Sequence, residues 1–277
     1  MAGMLFLVPT PIGNLGDISQ RCRDTLEQAD FIAAEDTRVS LKLLNHLNIK
    51  KPLVSYYEHN RAESGQRILE RILAGETCAL VSDAGSPAIS DPGEDLVALC
   101  AANGITVSAI PGPCAVITAL SISGLPTGRF TFEGFLSTNK KSRQDHLKAL
   151  NDEQRTMIFY EAPHKLRATL QDLQAAFGPD RRISLCRELT KLHEEVIRTT
   201  LSGAAEYYRE LDPRGEYVLV LEGASAPAEA EITLEDALAL VQEKLAQGLS
   251  RKDAVKQAAK ETGFAKNALY DAAMKLE

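Results

Sequence analysis

Residues 77–81 read Thr77-Cys-Ala-Leu-Val81 and run directly into residues 82–93, Ser82-Asp-Ala-Gly-Ser-Pro-Ala-Ile-Ser-Asp-Pro-Gly93. The first segment has the composition of a buried strand. The second packs two glycines, two prolines, two aspartates and three serines into twelve residues, which is turn chemistry. So much loop at the end of a core strand raises the question of what sits on it.

The surroundings answer the fold part of that question. Upstream, residues 4–8 (MLFLV), 31–34 (FIAA) and 53–57 (LVSYY) have strand composition. A capping box at Asp17 and Gln20 is expected to open a helix carrying Ile18, Cys22, Leu26 and Ala29 at helical spacing. A second helix is expected from Arg61 to Ala74, stopped by Gly75. Downstream, residues 94–102 read as a helix stopped by Gly104, and residues 106–110 (TVSAI) as a fifth strand. Strand–helix alternation of this kind implies a mostly parallel sheet with helices on its faces.

The pattern changes after residues 124–126 (GLP). Five strand candidates follow, at 129–135, 156–161, 183–188, 195–201 and 217–222, with two clear helices, near 140–150 and 164–176. The closeness of the strands at 183 and 195 implies antiparallel pairing. The expected organisation is therefore α/β: an N-terminal α/β domain over 1–125, a second mixed α/β domain over 126–223, a linker at 224–232 and a helical tail over 233–277. In the tail, Leu234, Leu238, Val241 and Leu245 share a helical face, Ser250 with Asp253 forms a cap, and Gly263 precedes a final basic helix. Three short helices with a glycine turn suggest a helix-turn-helix module.

Composition narrows the class. At 44% hydrophobic and 25% charged residues the chain is that of a soluble globular protein, without the ~18–20 apolar residues in a row that span a bilayer. The five cysteines, at 22, 78, 100, 114 and 186, show no CxxC spacing, so neither a zinc site nor a disulfide framework is expected and a reducing cytoplasm fits. The five histidines show no HExxH spacing. A net charge of −7 argues against non-specific coating of nucleic acid, but allows local basic surface. Candidates for that surface are residues 139–148 (NKKSRQDHLK), Arg61, Arg181, Arg182 and the lysines from 252 to 275.

In an open parallel sheet, ligands bind beyond the carboxyl ends of the strands. The four loops there are residues 9–14 (PTPIGN), 35–38 (EDTR), the 82–93 stretch and 111–115 (PGPCA), all rich in Gly, Pro or charge. The G-x-G-x-x-G, G-x-x-x-x-G-K-[ST] and G-x-S-x-G fingerprints are all missing, which argues against dinucleotide-binding, P-loop and hydrolase chemistry. Glycine lets backbone approach a ligand and proline freezes the loop. Four such loops at one sheet end describe a pocket of backbone polar groups, suited to adenine, ribose and an amino-acid tail.

Taken in order, the segments VPTPIGNLGD, AAEDTR, SDAGSPAISDPG, IPGPCAVITAL, FEGFL, IFYEAPHK, RELTK and GEYVLVLEG closely resemble the ribosomal RNA small-subunit methyltransferase I family of the tetrapyrrole methylase superfamily. The resemblance covers residues 4 to about 223, and the helical tail also fits. It implies a two-domain fold with S-adenosyl-L-methionine in the cleft between domains, 2′-O-ribose methylation of a cytidine in the decoding region of 16S rRNA, and a homodimer. It also implies the cofactor contacts: Ile12 in the first loop, Ala84, Gly85, Ser86 and Ile89 in the opening stretch, Cys114 and Ala115 after the fifth strand, then Glu161, Leu189 and Glu216. Ser86 stands where relatives carry aspartate.

A ribose hydroxyl is weakly acidic, so a general base would help, typically ~10²–10⁴-fold. Asp36 and Asp83 are the first candidates, with Glu35, Asp91 and Glu188 next, while Arg38 and Lys191 are candidates to hold a phosphate or polarise the hydroxyl. Each also has a reading as a loop-stabilising ion pair or cap, and the sequence does not choose among them. Two rival functions remain at this level: a precorrin or uroporphyrinogen C-methyltransferase of the same superfamily, and a non-catalytic S-adenosylmethionine- or RNA-binding protein. PTPIGN, EDTR and the tail argue against the first; the dense polar loops argue against the second.

Overall fold

The computed structural model describes residues 3–225 and 233–274. The chain divides into two compact units at 224/225, so most of the expected linker, residues 226–232, lies outside the described residues.

The first unit holds two five-stranded sheets. One contains β1 (Met4–Leu7), β2 (Phe31–Ala34), β3 (Leu53–Ser55), β4 (Cys78–Val81) and β5 (Thr106–Ala109) in the order β3-β2-β4-β1-β5, with every pairing parallel. Its strands are short and apolar on both faces because helices cover both. Phe31, Ala33, Cys78 and Leu80 pack in a cluster with Ile68, Leu69 and Ile72 of α3 (Arg61–Leu73) and Leu96 and Cys100 of α4 (Gly93–Ala102). Their neighbours Ile32, Ala34, Ala79 and Val81 pack in another with Cys22 and Leu26 of α1 (Gln20–Gln28) and Leu44 of α2 (Thr37–His46). This is the period-2 alternation of a strand buried on both sides. The connections after β1 and β2 run toward the β3 edge and the connection after β4 runs toward the β5 edge. The chain therefore parts beyond the carboxyl end of β4, where open α/β sheets form their binding crevice.

The second sheet contains β6 (Phe130–Phe135), β7 (Thr156–Glu161), β8 (Arg182–Arg187), β9 (Glu195–Thr200) and β10 (Tyr217–Leu221) in the order β6-β7-β10-β8-β9. Only β6 and β7 pair in parallel. The β8–β9 pair is antiparallel, as its sequence spacing implied. On one face lie α7 (Leu166–Phe177) and α8 (Leu201–Glu210), which pack on Met157, Phe159, Tyr217 and Leu219. On the other lies α5 (Ala115–Ile122), whose Val116, Ala119 and Leu120 pack on Ile158, Val218 and Val220. Helix α6 (Lys140–Ala149) follows β6.

Several local expectations change. Ser19, not Asp17, caps α1, its side chain accepting from the Cys22 amide; Asp17 lies in a short 3-10 turn capped by Asn14. Helix α2 begins at once after the EDTR segment, with Asp36 as its N-cap. Helix α8 adds a third helix to the second half. Gly203 hides it in the sequence, glycine being a poor helix former. In the structure a Cβ there would stand 2.2 Å from Thr199 Oγ1, so a larger residue would have to displace that hydroxyl.

The second unit is a three-helix cluster of α9 (Leu234–Ala246), α10 (Arg251–Thr262) and α11 (Lys266–Met274) around Ala237, Val241, Ala254, Val255, Ala258 and Leu269. Thr233 and Asp236 form a capping box, Ser250 caps α10, and Gly263 ends it at a left-handed φ of 75°. Among the described residues, no helix is long and apolar enough to cross a membrane and no cluster of His, Cys, Asp and Glu is placed to hold a metal. All five cysteines are free.

Candidate active site

The carboxyl ends of the first sheet face the ends of β6, β7 and β8 and the start of β10 across a cavity of about 540 Å³. That volume falls within the ~300–1,000 Å³ usual for small-molecule sites.

The stretch after β4 ties this end of the first sheet together. Thr10 and Gly85 exchange two backbone hydrogen bonds of 2.9 and 3.0 Å, and Thr10 Oγ1 donates to the Ser82 carbonyl at 3.2 Å. Ser86 Oγ donates to the Pro113 carbonyl at 3.0 Å. Asp83 Oδ1 accepts from the Asp36 amide at 3.0 Å. One loop thus bonds the loops after β1, β2 and β5. Gly85 has φ 84°, and a Cβ there would approach Ile12 Cγ2 to 3.3 Å, so glycine is dictated both by conformation and by the closeness of the first loop. Ala88 and Ser90 are also left-handed, at φ 68° and 63°, a conformation costing roughly 1–2 kcal/mol per residue. Asp91 compensates: its Oδ1 accepts from the amides of Ala88 at 2.9 Å and Gly93 at 2.8 Å. Strain held in this way is a common mark of a functional loop.

The charge of the cavity is one-sided. Glu35, Asp83, Asp91, Glu161 and Glu216 line it, and among the described residues no Lys, Arg or His does. Burial pushes the Glu35 carboxyl above the usual carboxylate range, with the neighbouring charges of Asp83 and Asp91 adding to the effect. Asp91 Oδ2 is buried without a hydrogen-bond partner. Such a lining favours a cationic ligand. Asp36 behaves differently: its carboxylate makes a two-pronged pair with Arg38, which holds it down at about 2.

The second sheet supplies shape. Phe135, Tyr160, Cys186, Leu189, Tyr217 and Val218 form its wall. Burial pushes the Tyr160 hydroxyl up to about 12, so it stays neutral. Glu161 is buried and accepts from Thr169 Oγ1 and from the Ala162 amide. Beyond β8, Glu188 and Thr190 are left-handed at φ 52° and 66°. Lys191 Nζ joins Glu188 Oε1 at 2.9 Å to Glu216 Oε2 at 2.8 Å, and the Glu216 amide also donates to Glu188. Burial works against the charged lysine, but these bonds outweigh it and raise its pKa, while the same ammonium lowers that of Glu188. The first loop lies directly on this clasp: a Cβ on Gly13 would meet Lys191 Cγ at 2.4 Å and Thr190 Oγ1 at 2.9 Å.

All ten positions named from the sequence as cofactor contacts line the cavity: Ile12, Ala84, Gly85, Ser86, Ile89, Cys114, Ala115, Glu161, Leu189 and Glu216. Of the catalytic candidates, Glu35 and Asp83 line it, as does Asp91. Asp36, Arg38 and Lys191 do not; the first two are engaged with each other and Lys191 with its two glutamates. Ser86 works as a bond between loops. Sequence reasoning missed the wall residues Phe135, Tyr160, Cys186 and Tyr217, all in or beside strands whose apolar character reads simply as core. Of the basic candidates, Arg61, Arg143 and Arg182 are paired with Asp95, Asp172 and Glu222.

Residues 4–205 match the family described as Tetrapyrrole (Corrin/Porphyrin) Methylases, and residues 224–277 match the RsmI C-terminal HTH domain. Ribosomal RNA small subunit methyltransferase I of Synechocystis sp. is 49% identical over 99% of each chain. The protein of that name from Halalkalibacterium halodurans is 47% identical over 97% of this chain and 94% of its own. Among solved structures, diphthine synthase superposes with a TM-score of 0.63 at 15% identity, covering 79% of this chain and 90% of its own. A uroporphyrin-III C-methyltransferase from Thermus thermophilus, complexed with S-adenosylhomocysteine, superposes with a TM-score of 0.55 at 19% identity, covering 78% and 97%. The structural likenesses establish the fold; the sequence identities, spanning both units, establish that this chain is a tetrapyrrole methylase of the ribosomal RNA small subunit methyltransferase I family.

Proposed function

We propose that the protein transfers the methyl group of S-adenosyl-L-methionine to the ribose 2′-oxygen of a cytidine in the decoding region of 16S rRNA. The observation that carries this reading is the cavity's charge: five carboxylic side chains, no basic one, and one carboxyl of raised basicity among them. S-Adenosyl-L-methionine supplies a methyl on a positively charged sulfur, together with an ammonium group, so the lining fits it. Ile12, Ala84–Ser86 and Cys114–Ala115 would hold it against the loop backbone, with Leu189 and Glu216 opposite.

On this reading Glu35 is the general base. Its carboxylate takes the hydroxyl proton, and burial, with Asp83 and Asp91 after it, strengthens it as a base by making its ionised form less favourable. The rigid loops hold the acceptor oxygen in line with the methyl, and orientation alone can supply several kcal/mol. A carboxylate base must be ionised, so activity falls as pH drops through the Glu35 pKa, a limb that lies above the ordinary glutamate range.

The two sheets act as the two lobes of this site. An acidic cavity repels phosphate, so RNA must be held outside it. On α10, Lys252, Lys256 and Lys260 are exposed at four-residue intervals and so share one helix face. This basic stripe belongs to the unit matched by the helix-turn-helix description. The same reading places the protein in the cytoplasm as a homodimer acting on the 30S subunit.

Labelled S-adenosylmethionine incubated with 30S subunits, free 16S rRNA or a tetrapyrrole precursor tests the proposal. Label in an alkali-resistant RNA dinucleotide is the expected result. Label in the precursor, or alkali-labile label confined to a base, would refute it.

A further inference from the structure

Strand β6 carries one residue more than its partner can match. Phe130, Thr131 and Phe132 pair with Thr156, Met157 and Ile158, then Gly134 and Phe135 pair with Phe159 and Tyr160. Glu133 is the extra residue of a β-bulge, and Gly134 beside it takes a left-handed φ of 62°. In an unbroken strand Phe132 and Phe135, three residues apart, would face opposite sides of the sheet. The inserted residue cancels one alternation, and both rings sit on Tyr160. The centroid distances are 5.0 Å at 69° for Phe132 and 5.4 Å at 59° for Phe135.

The two phenylalanines then differ in one respect. Phe132 packs against the apolar cluster beneath α5, whereas Phe135 lines the cavity and is 58% exposed. An aromatic ring braced by a second ring and left bare toward a cavity offers a planar face. Unstacked bases of RNA are held on such faces. Lys140 and Lys141 are exposed and make no ion pair among the described residues. They follow Phe135 by five and six residues, a chain reach of no more than about 20 Å, so a phosphate beside the stacked base lies within range of an ammonium.

We propose that Phe135, turned onto Tyr160 by the bulge at Glu133, is the platform on which a nucleobase of the RNA substrate stacks as its ribose enters the cavity. This rests on the RNA-methylation reading for the identity of the ligand, and its test is separable from it.

The chain has no tryptophan, so Phe135→Trp introduces a sole fluorescent indole at the platform. Titration with a short cytidine-containing single-stranded RNA, with S-adenosylhomocysteine present, should quench it saturably. Phe130→Trp, at the far end of the same strand and about 17 Å away at 3.3 Å per residue, should not respond. Phe135→Ala should raise KM for 30S subunits ~5- to 100-fold, the range of a lost base–aromatic stack, without changing Kd for S-adenosylmethionine. Phe135→Leu should resemble Phe135→Ala, because it restores apolar area without a planar face.

Three results would overturn the proposal: no RNA-dependent quenching, a Phe135→Leu enzyme with wild-type KM, or a loss of S-adenosylmethionine affinity matching the loss in KM. The last would assign the ring to the donor's adenine. A wild-type protein that transfers no label to rRNA, while the indole is still quenched by RNA, would refute the methylation reading and leave the platform standing. Transfer without quenching would refute the platform alone.

Discussion

The two sheets of the first unit have the same strand number and present very different surfaces to the cavity between them. The parallel sheet ends in loops of Gly, Pro and carboxylate, cross-bonded by the stretch 82–93. The mixed sheet presents strand residues themselves, Phe135, Tyr160, Cys186 and Tyr217. The difference follows from connection geometry. Parallel strands return through helices, so all their carboxyl-end loops gather at one edge and polar groups can be placed there freely. Antiparallel β8, β9 and β10 alternate direction, and their exposed sheet end offers mostly side chains. The parallel wall therefore carries Glu35, Asp83 and Asp91 on its loops, while the mixed wall adds Glu161 and Glu216 to a surface of mostly aromatic and apolar side chains.

The sharpest way to break this contrast is Glu35→Gln. If the polar wall does the proton chemistry, kcat should fall ~10²–10⁴-fold, with Kd for S-adenosylmethionine little changed and the acid limb of the pH–rate profile gone. An unchanged limb would move the base elsewhere. Next is the seam between the walls. Gly13→Val drives a side chain into Lys191 and Thr190, and overpacking of about 1–3 kcal/mol should weaken donor binding ~5- to 100-fold. Isothermal titration reads this directly, and wild-type affinity would show that the two walls do not depend on that contact.

A smaller effect is expected at the clasp. Lys191→Met leaves Glu188 without its ammonium and should cost about 1 kcal/mol of stability at neutral pH. The sign with pH is specific. The depressed Glu188 pKa means that its contribution is present above the ordinary glutamate pKa and lost as pH falls through the folded value. The raised Lys191 pKa means that its contribution is present below the ordinary lysine pKa and lost only as pH rises through the folded value. Thermal melts should therefore show wild type and variant converging in acid. The smallest effect belongs to Asp36→Asn. Asparagine retains the N-cap and the residue does not line the cavity, so kcat should stay within about twofold, as for a surface change. A large loss of kcat with normal folding would return Asp36 to the catalytic list.

Much of the parallel lobe was legible because each strand–helix repeat announces itself locally, through short apolar runs and terminal glycines such as Gly75 and Gly104. Ten positions that line the cavity were named in advance through resemblance and loop placement. What was not legible involved partners distant in sequence. Asp36 and Asp83 both follow strands with a carboxylate, but only the fold shows that Asp36 caps a helix and grips Arg38, while Asp83 and Asp91 line the cavity with Glu35. Helix α8 escaped because Gly203 is unfavourable by propensity, and its close approach to the Thr199 side chain appears only in the fold.

By itself, the sequence determined the alternation of elements, the four loops at one sheet end and the family, since each depends on neighbours within a few residues or on ordered motifs. Only the tertiary structure decided that burial raises the Glu35 pKa, that Ser86 binds the Pro113 carbonyl, and that Phe135 faces the cavity. A pKa depends on burial and on charges from other strands. A ring's direction depends on a one-residue mismatch with a partner strand, which no single strand records.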